Sequence, residues 1–296
     1  MCRLFVLSIV WSALAFAQDS AQCHESVARA RQVDALRKVL EDCGNFHELA
    51  EWIFVDEARL RAPLRALIND AKVGDRALRI LALIGEPADV DLMMHRPPNG
   101  QGFTEDRWRY PIVSTLLQPR SESEWEFLRK AAISDKDRWV DFGAILALQF
   151  NHSSRSERIL EEAAVNNPHR AGTVARALEF IHTNPPPFEG KDLEALGSRV
   201  ASALEFANWK KNEAPVYNRA RSKGIVRITL VIGVDCLTYT ATFHRVGDRW
   251  ILRGVRETLQ QFVPPGMIMI APRRTVPLLD EPPPIIEPIR VPPVER

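Results

Sequence analysis

A period constrains this chain more than any other feature. Asp75-Arg76-Ala77, Asp106-Arg107-Trp108 and Asp137-Arg138-Trp139 stand 31 residues apart. Each opens an apolar helical stretch: DRALRILALIGEP, DRWRYPIVSTLLQP and DRWVDFGAILALQF. The second halves repeat as well, SESEWEFLRKAA from Ser121 matching SSRSERILEEAA from Ser153 at an offset of 32. His169-Arg170 then takes the place of Asp137-Arg138, and Ala177-Leu178-Glu179-Phe180 matches Ala147-Leu148-Gln149-Phe150 at an offset of 30. Four tandem units of 30 to 33 residues, each a helix, a turn and a second helix, predict a stack. One such unit cannot bury its apolar face alone, so neighbours must cover it. Phe46 to Val55 and Arg59 to Ala71 carry apolar residues at helical spacing and fit an N-terminal hairpin that caps the stack.

In the first unit, Ala82-Leu83-Ile84-Gly85-Glu86-Pro87 followed by Ala88-Asp89-Val90 resembles the A-L-x-x-I-G-D-P turn of short HEAT repeats, the kind named after phycobilisome lyases. The resemblance is strongest at residues 75–94 and extends to about residue 205, with Gln118-Pro119 and Asn151-His152 replacing the turn in later units. It implies a helical-hairpin α-solenoid used for protein–protein contact, with lyase-like handling of a chromophore as the alternative.

The Asp-Arg pairs have a structural and a functional reading. An aspartate at a helix start accepts backbone N–H groups that the first turn leaves unsatisfied, and suits the positive end of the helix dipole. The arginine beside it reaches an acid on the neighbouring repeat and forms a ladder. Alternatively Arg107, Trp108, Arg138, Trp139 and Arg170 line a surface that contacts a partner.

From Gly224 the pattern changes to period two. GIVRITLVIG, DCLTYTATFHRV and RWILRGVRE predict a three-stranded antiparallel meander within 210–262, following a helical domain over 18–209. Tyr239, Ala241 and Phe243 form a face to pack on helices, Leu193 to Trp209 among them. Thr238, Thr240, Thr242 and His244 form the opposite face, expected to meet solvent. The third Asp-Arg-Trp, at Asp248-Arg249-Trp250, falls on a hairpin corner, with Trp250 turned inward. Ten of the last 33 residues are proline, so 263–296 is expected to be a disordered tail or a docking segment. The fold class expected is mainly α, a solenoid followed by a small β meander and a Pro-rich tail.

The N-terminus sets the compartment. Arg3, an apolar run from Leu4 to Phe16 and the small-x-small site Ala15-Phe16-Ala17 have the pattern of a signal peptide over 1–17, and the run is too short to cross a bilayer. An exported chain, periplasmic or extracellular, is expected. Of 39 basic and 38 acidic residues the leader removes only Arg3, leaving 38 of each. With that balance and no long run of one sign, nothing points to nucleic acid or an anionic membrane surface as a partner.

Export makes Cys23 and Cys43 the natural disulfide pair. One straight helix over 25–42 would hold them about 27 Å apart and prevent the bond. A turn near Gln32-Val33-Asp34, with Asp34 capping the second helix, would bring them together. Cys236, in a β-branched run, reads as a buried thiol.

Chemistry is sparse. There is no G-x-S-x-G, Walker loop, dinucleotide fingerprint, C-x-x-C or H-E-x-x-H, so no catalytic residue, cofactor or metal is assigned. His47, Glu48 and Glu51 share a helix, but a lone histidine beside acids reads as surface. The expected function is therefore an exported non-catalytic binding or scaffolding protein whose partner is another envelope or secreted protein. The alternative is an enzyme or small-molecule-handling accessory protein with a pocket between the repeats and the meander.

Overall fold

A computed structural model describes residues 20–95, 109–183, 188–204, 209–232 and 235–262, with 209–211, 231, 232, 235, 236 and 257–262 described by backbone alone. A helix over 20–29 (α1) turns at 30–32 into α2 (Val33–Asp42). Cys23 and Cys43 then face each other at the open end of the hairpin and are disulfide-bonded, with Cα atoms 5.8 Å apart. Asp34 does not cap α2; Gln32 precedes the helix without a side-chain cap, and Asp34 lies in the first turn.

Next come α3 (Phe46–Val55), α4 (Glu57–Leu67), α5 (Gly74–Ile84), α6 (Pro87–Met94), α7 (Arg109–Val113), α8 (Glu122–Ser134), α9 (Arg138–Asn151), α10 (Ser154–Asn166) and α11 (Ala171–Thr183). Packing follows the two-row logic of stacked hairpins. Helix α3 lies on α5, α5 on α7, α7 on α9 and α9 on α11, while α2 lies on α4 and α8 on α10. The odd-numbered helices from α3 form an inner row, apolar enough that Leu49, Ile53, Ile80, Ile84, Ile112, Ala144 and Leu148 are fully buried.

Rungs one period long tie successive hairpins. Arg59 donates to the carbonyls of Ala30 and Val27, and Arg76 to those of Leu40 and Cys43. Arg129 pairs with Glu162 and Arg155 with Glu122. The Asn151 amide donates to the Leu117 carbonyl, and the Asn167 amide to that of Ala132. The arginine and asparagine donors reach backbone carbonyls at or beyond helix ends, where intrahelical partners run out, while the two Arg–Glu rungs are ion pairs between side chains.

Local chemistry sets the helix ends. Gly85 closes α5 at φ 67°, a left-handed cap that suits glycine, and Pro87 opens α6 where its missing N–H is harmless. At the equivalent end of α9, His152 adopts φ 56° and sets its ring edge-on to Phe180 and tilted against Phe188. Asp137 caps α9, accepting from the N–H groups of Trp139 and Val140 at 2.8 and 3.4 Å. Asp75 does not repeat that role, since α5 begins earlier, after Val73.

The sheet is larger than three strands. β4 (Lys223–Ile232), β5 (Asp235–Val246) and β6 (Arg249–Phe262) form the expected meander, joined by β1 (Glu189–Gly190) on β6 and by β2 (Trp209–Asn212) and β3 (Val216–Tyr217) on β4. Pairing is antiparallel throughout. β1 lies inside the segment expected to be purely helical. Leu193–Ala203 is helical (α12), but Trp209 begins β2 rather than ending that helix. The Gly247-Asp248 corner is a tight turn with Gly247 at φ 62°, and Trp250 is buried beyond it.

Among the described residues no helix is long and apolar enough to cross a membrane. Residues 1–17, expected to be a signal peptide, Arg107 and Trp108, and the Pro-rich segment 263–296 lie outside the described residues.

Candidate functional site

Pleating sends alternate residues of β4 to opposite faces of the sheet. Gly224 and Val226 meet α12: a Cβ on Gly224 would fall 2.4 Å from Leu193 Cδ2, and one on Gly197 would fall 2.7 Å from Val226 Cγ1. Their cross-strand partners on β5, Phe243 and Ala241, share that face with Tyr239, and all three are buried. The apolar face thus packs on α12 as its pattern demands.

The polar face does not meet solvent. It lies on the inner row of helices, with Thr240 and Thr242 only 4 % and 3 % exposed. Thr242 Oγ1 donates to the Leu83 carbonyl at 3.2 Å, and His244 Nε2 lies 3.1 Å from the Ile84 carbonyl. Burial, then the charge of Lys223, lowers His244 to about 4, so the ring is neutral and its N–H donates. The sequence expectation failed here because alternation reports which residues share a face, not what covers it.

Charge meets charge along this seam. Lys223, 5 % exposed, bonds Glu57 at 2.6 Å and Glu86 at 2.5 Å. Asn218 Nδ2 donates to the other Glu57 oxygen at 3.0 Å. Burial pushes the Glu86 carboxyl up, but Lys223 and then Arg61 outweigh it and hold it below the usual range. Farther along, Arg227 of β4 pairs with Glu51 of α3. Glu51 is 3 % exposed and His47, one turn earlier, is half-buried. Both belong to the interior, not to the surface face expected of them. Burial first, then Arg227, Arg256 and Arg79, lowers His47 to about 4.

Arg256 of β6 sits deepest. It pairs across the sheet with Thr240, and its Nη1 donates to the Arg79 carbonyl at 2.5 Å. Nε is buried without any hydrogen-bond partner. Among the described residues no carboxylate lies within ion-pair distance of its guanidinium. Burial lowers Arg256 to about 9; Tyr110 acts upward and Arg79 downward. His47, Arg79 and Tyr110 are 32 and 31 residues apart on α3, α5 and α7, so one repeat position supplies all three.

The residues singled out by the Asp-Arg-Trp motif lie elsewhere. Arg170 is committed to a rung: it pairs with Asp141 at 2.7 Å and donates to the Arg138 carbonyl. Arg138 is exposed and stacks over the half-buried Trp139 ring, 5.2 Å from its centroid. The seam residues were missed because Arg79, Arg227 and Arg256 carry no motif. The one usable signal was that Lys223, Arg227 and Arg256 interrupt otherwise apolar strands.

Among the described residues no group of three or more His, Cys, Asp or Glu could hold a metal. No known family model, curated protein or solved structure matches this chain.

Proposed function

We propose that this chain is an exported, non-catalytic binding protein built on a HEAT-like stack, contacting another envelope or secreted protein. One observation carries this reading. The inner row of helices, where a stack of hairpins offers its broadest recess, is covered by the chain's own sheet. Away from that covered recess, at an edge where a repeat begins, Arg138 is exposed over Trp139. Arginine and tryptophan are the residue types that most often dominate interface energetics. The one-period rungs keep that edge stiff, which lowers the entropy lost on association.

The test is affinity capture from an envelope fraction by the full chain and by an Arg138→Glu, Trp139→Ala variant. A partner retained by the native chain and lost by the variant is expected. Equal capture by both, or none by either, overturns the reading. A second reading, handling of a small ligand between the repeats and the sheet, is favoured by the buried cations of the seam.

A further inference from the structure

We propose that the seam between the sheet and the inner helix row holds a small oxyanion-bearing ligand, a phosphate, sulfate or carboxylate group, gripped by Arg256 with Arg79, Arg227 and His47 around it. The proposal goes beyond the scaffold reading and deepens the small-ligand one, on which its biological meaning rests.

Arg256 carries the argument. The residue is 7 % exposed, yet among the described residues its one hydrogen bond runs from Nη1 to a neutral carbonyl, that of Arg79. Nε is buried and makes no bond. Nε–H and the neighbouring Nη2 form the side-on edge with which a guanidinium takes a carboxylate or phosphate in two parallel hydrogen bonds. A cation out of water normally has a counter-charge, because an unpaired buried charge is among the costliest features a fold can carry. Lys223 and Arg227 in the same seam have theirs, in Glu57 and Glu86 and in Glu51. Arg256 has none among the described residues.

The surroundings are cationic. Arg227, Arg256 and Arg79 all act on His47, and Arg79 acts on Arg256. An anion placed against the Nε edge of Arg256 would meet the field of the Arg256, Arg79 and Arg227 guanidinium groups, with Glu51 and Glu213 as the acids paired to Arg227. Burial strengthens that attraction, since the low local dielectric screens it less than water does. His47 lies on α3 at the less buried side of the cluster, while Thr240 presents a hydroxyl beside Arg256. Because the ligand-facing edge is planar and bidentate, a lysine cannot replace it.

The full chain, disulfide intact, is titrated at low ionic strength with inorganic phosphate, sulfate or succinate. Sodium chloride at matched ionic strength is the control. Two signals are read: binding heat, and the Nε–H resonance of Arg256 in the nitrogen-15-labelled protein. The resonance is assigned as the one missing from Arg256→Lys. One saturable site per chain is expected, shifting that resonance. Arg256→Lys should weaken binding at least tenfold, while Arg158→Lys on the exposed side of α10 leaves it unchanged. Preference for phosphate and sulfate identifies a tetrahedral oxyanion, and preference for succinate a carboxylate; either supports the site. No saturable binding, a shift that sodium chloride reproduces, or undiminished binding by Arg256→Lys overturns it. Should Arg256→Lys fail to fold, a titratable arginine Nε–H resonance in the native chain still decides, against the same sodium chloride control. Loss of partner capture by the Arg138→Glu, Trp139→Ala variant leaves this test untouched, so the two readings fail separately.

Discussion

On one face of the sheet, Val226, Ala241, Phe243 and Tyr239 meet α12 and its surroundings as apolar surface on apolar surface. On the other, Lys223, Arg227, Thr242, His244 and Arg256 meet the inner helices through ion pairs and hydrogen bonds. Both faces are closed, but by unlike means. Apolar burial contributes about 25 cal/mol per Å² and is indifferent to direction. Buried ion pairs contribute little net stability, because desolvation offsets attraction, yet each demands one partner at one position. The first face holds the sheet to the chain; the second fixes where along the helical row it sits.

The sharpest test of that division is Phe243→Ala. Phe243 is fully buried on the α12 face, so its loss should cost about 3–5 kcal/mol in urea unfolding. A cost under about 1 kcal/mol would mean the polar face does the anchoring.

Acid comes next and strikes the polar face through its two buried histidines. His47 and His244 each titrate at about 4 when folded, against 6.5 as the ordinary value. The unfolded chain therefore takes up protons first as pH falls, so stability is level above about pH 7 and declines from 6.5 towards 4. Between pH 7 and 5 the pair should cost roughly 3 kcal/mol, lowering Tm on the order of 10 °C. His47→Gln, His244→Gln should flatten the slope, and a flat Tm in the native chain over this range would place both rings in water.

The smallest effect should come from Glu51→Ala. It removes the nearer acid from Arg227 and leaves Glu213 at 3.6 Å, so about 2–3 kcal/mol is expected from chemical unfolding. Glu51→Ala combined with Arg227→Met should recover most of that loss. No recovery would show that the pair stabilises rather than positions.

The helical half was legible because its signals are local. Apolar spacing, Ser121, Ser153 and Asp137 at helix starts, and Gly85-Glu86-Pro87 at a turn each act within a few residues. The period itself surfaced as rungs, Arg76 and Arg170 reaching back one hairpin each. The short strands were not legible: Glu189–Gly190 becomes strand only because β6 offers it an edge. Nor was the seam. Thr240 or His47 beside polar neighbours looks the same in sequence whether water or another element covers it.

By itself, then, the sequence determined the hairpins, their register, the meander and the two faces of each strand, since all of these arise from contacts between near neighbours in the chain. Only the tertiary structure decided that the polar face turns inward onto helices more than a hundred residues upstream, as Arg227 on Glu51 and Lys223 on Glu57 record. Complementary charge at such separation leaves no local trace, because each partner alone is an ordinary exposed residue until the other arrives. The unpartnered edge of Arg256 exists only in that arrangement.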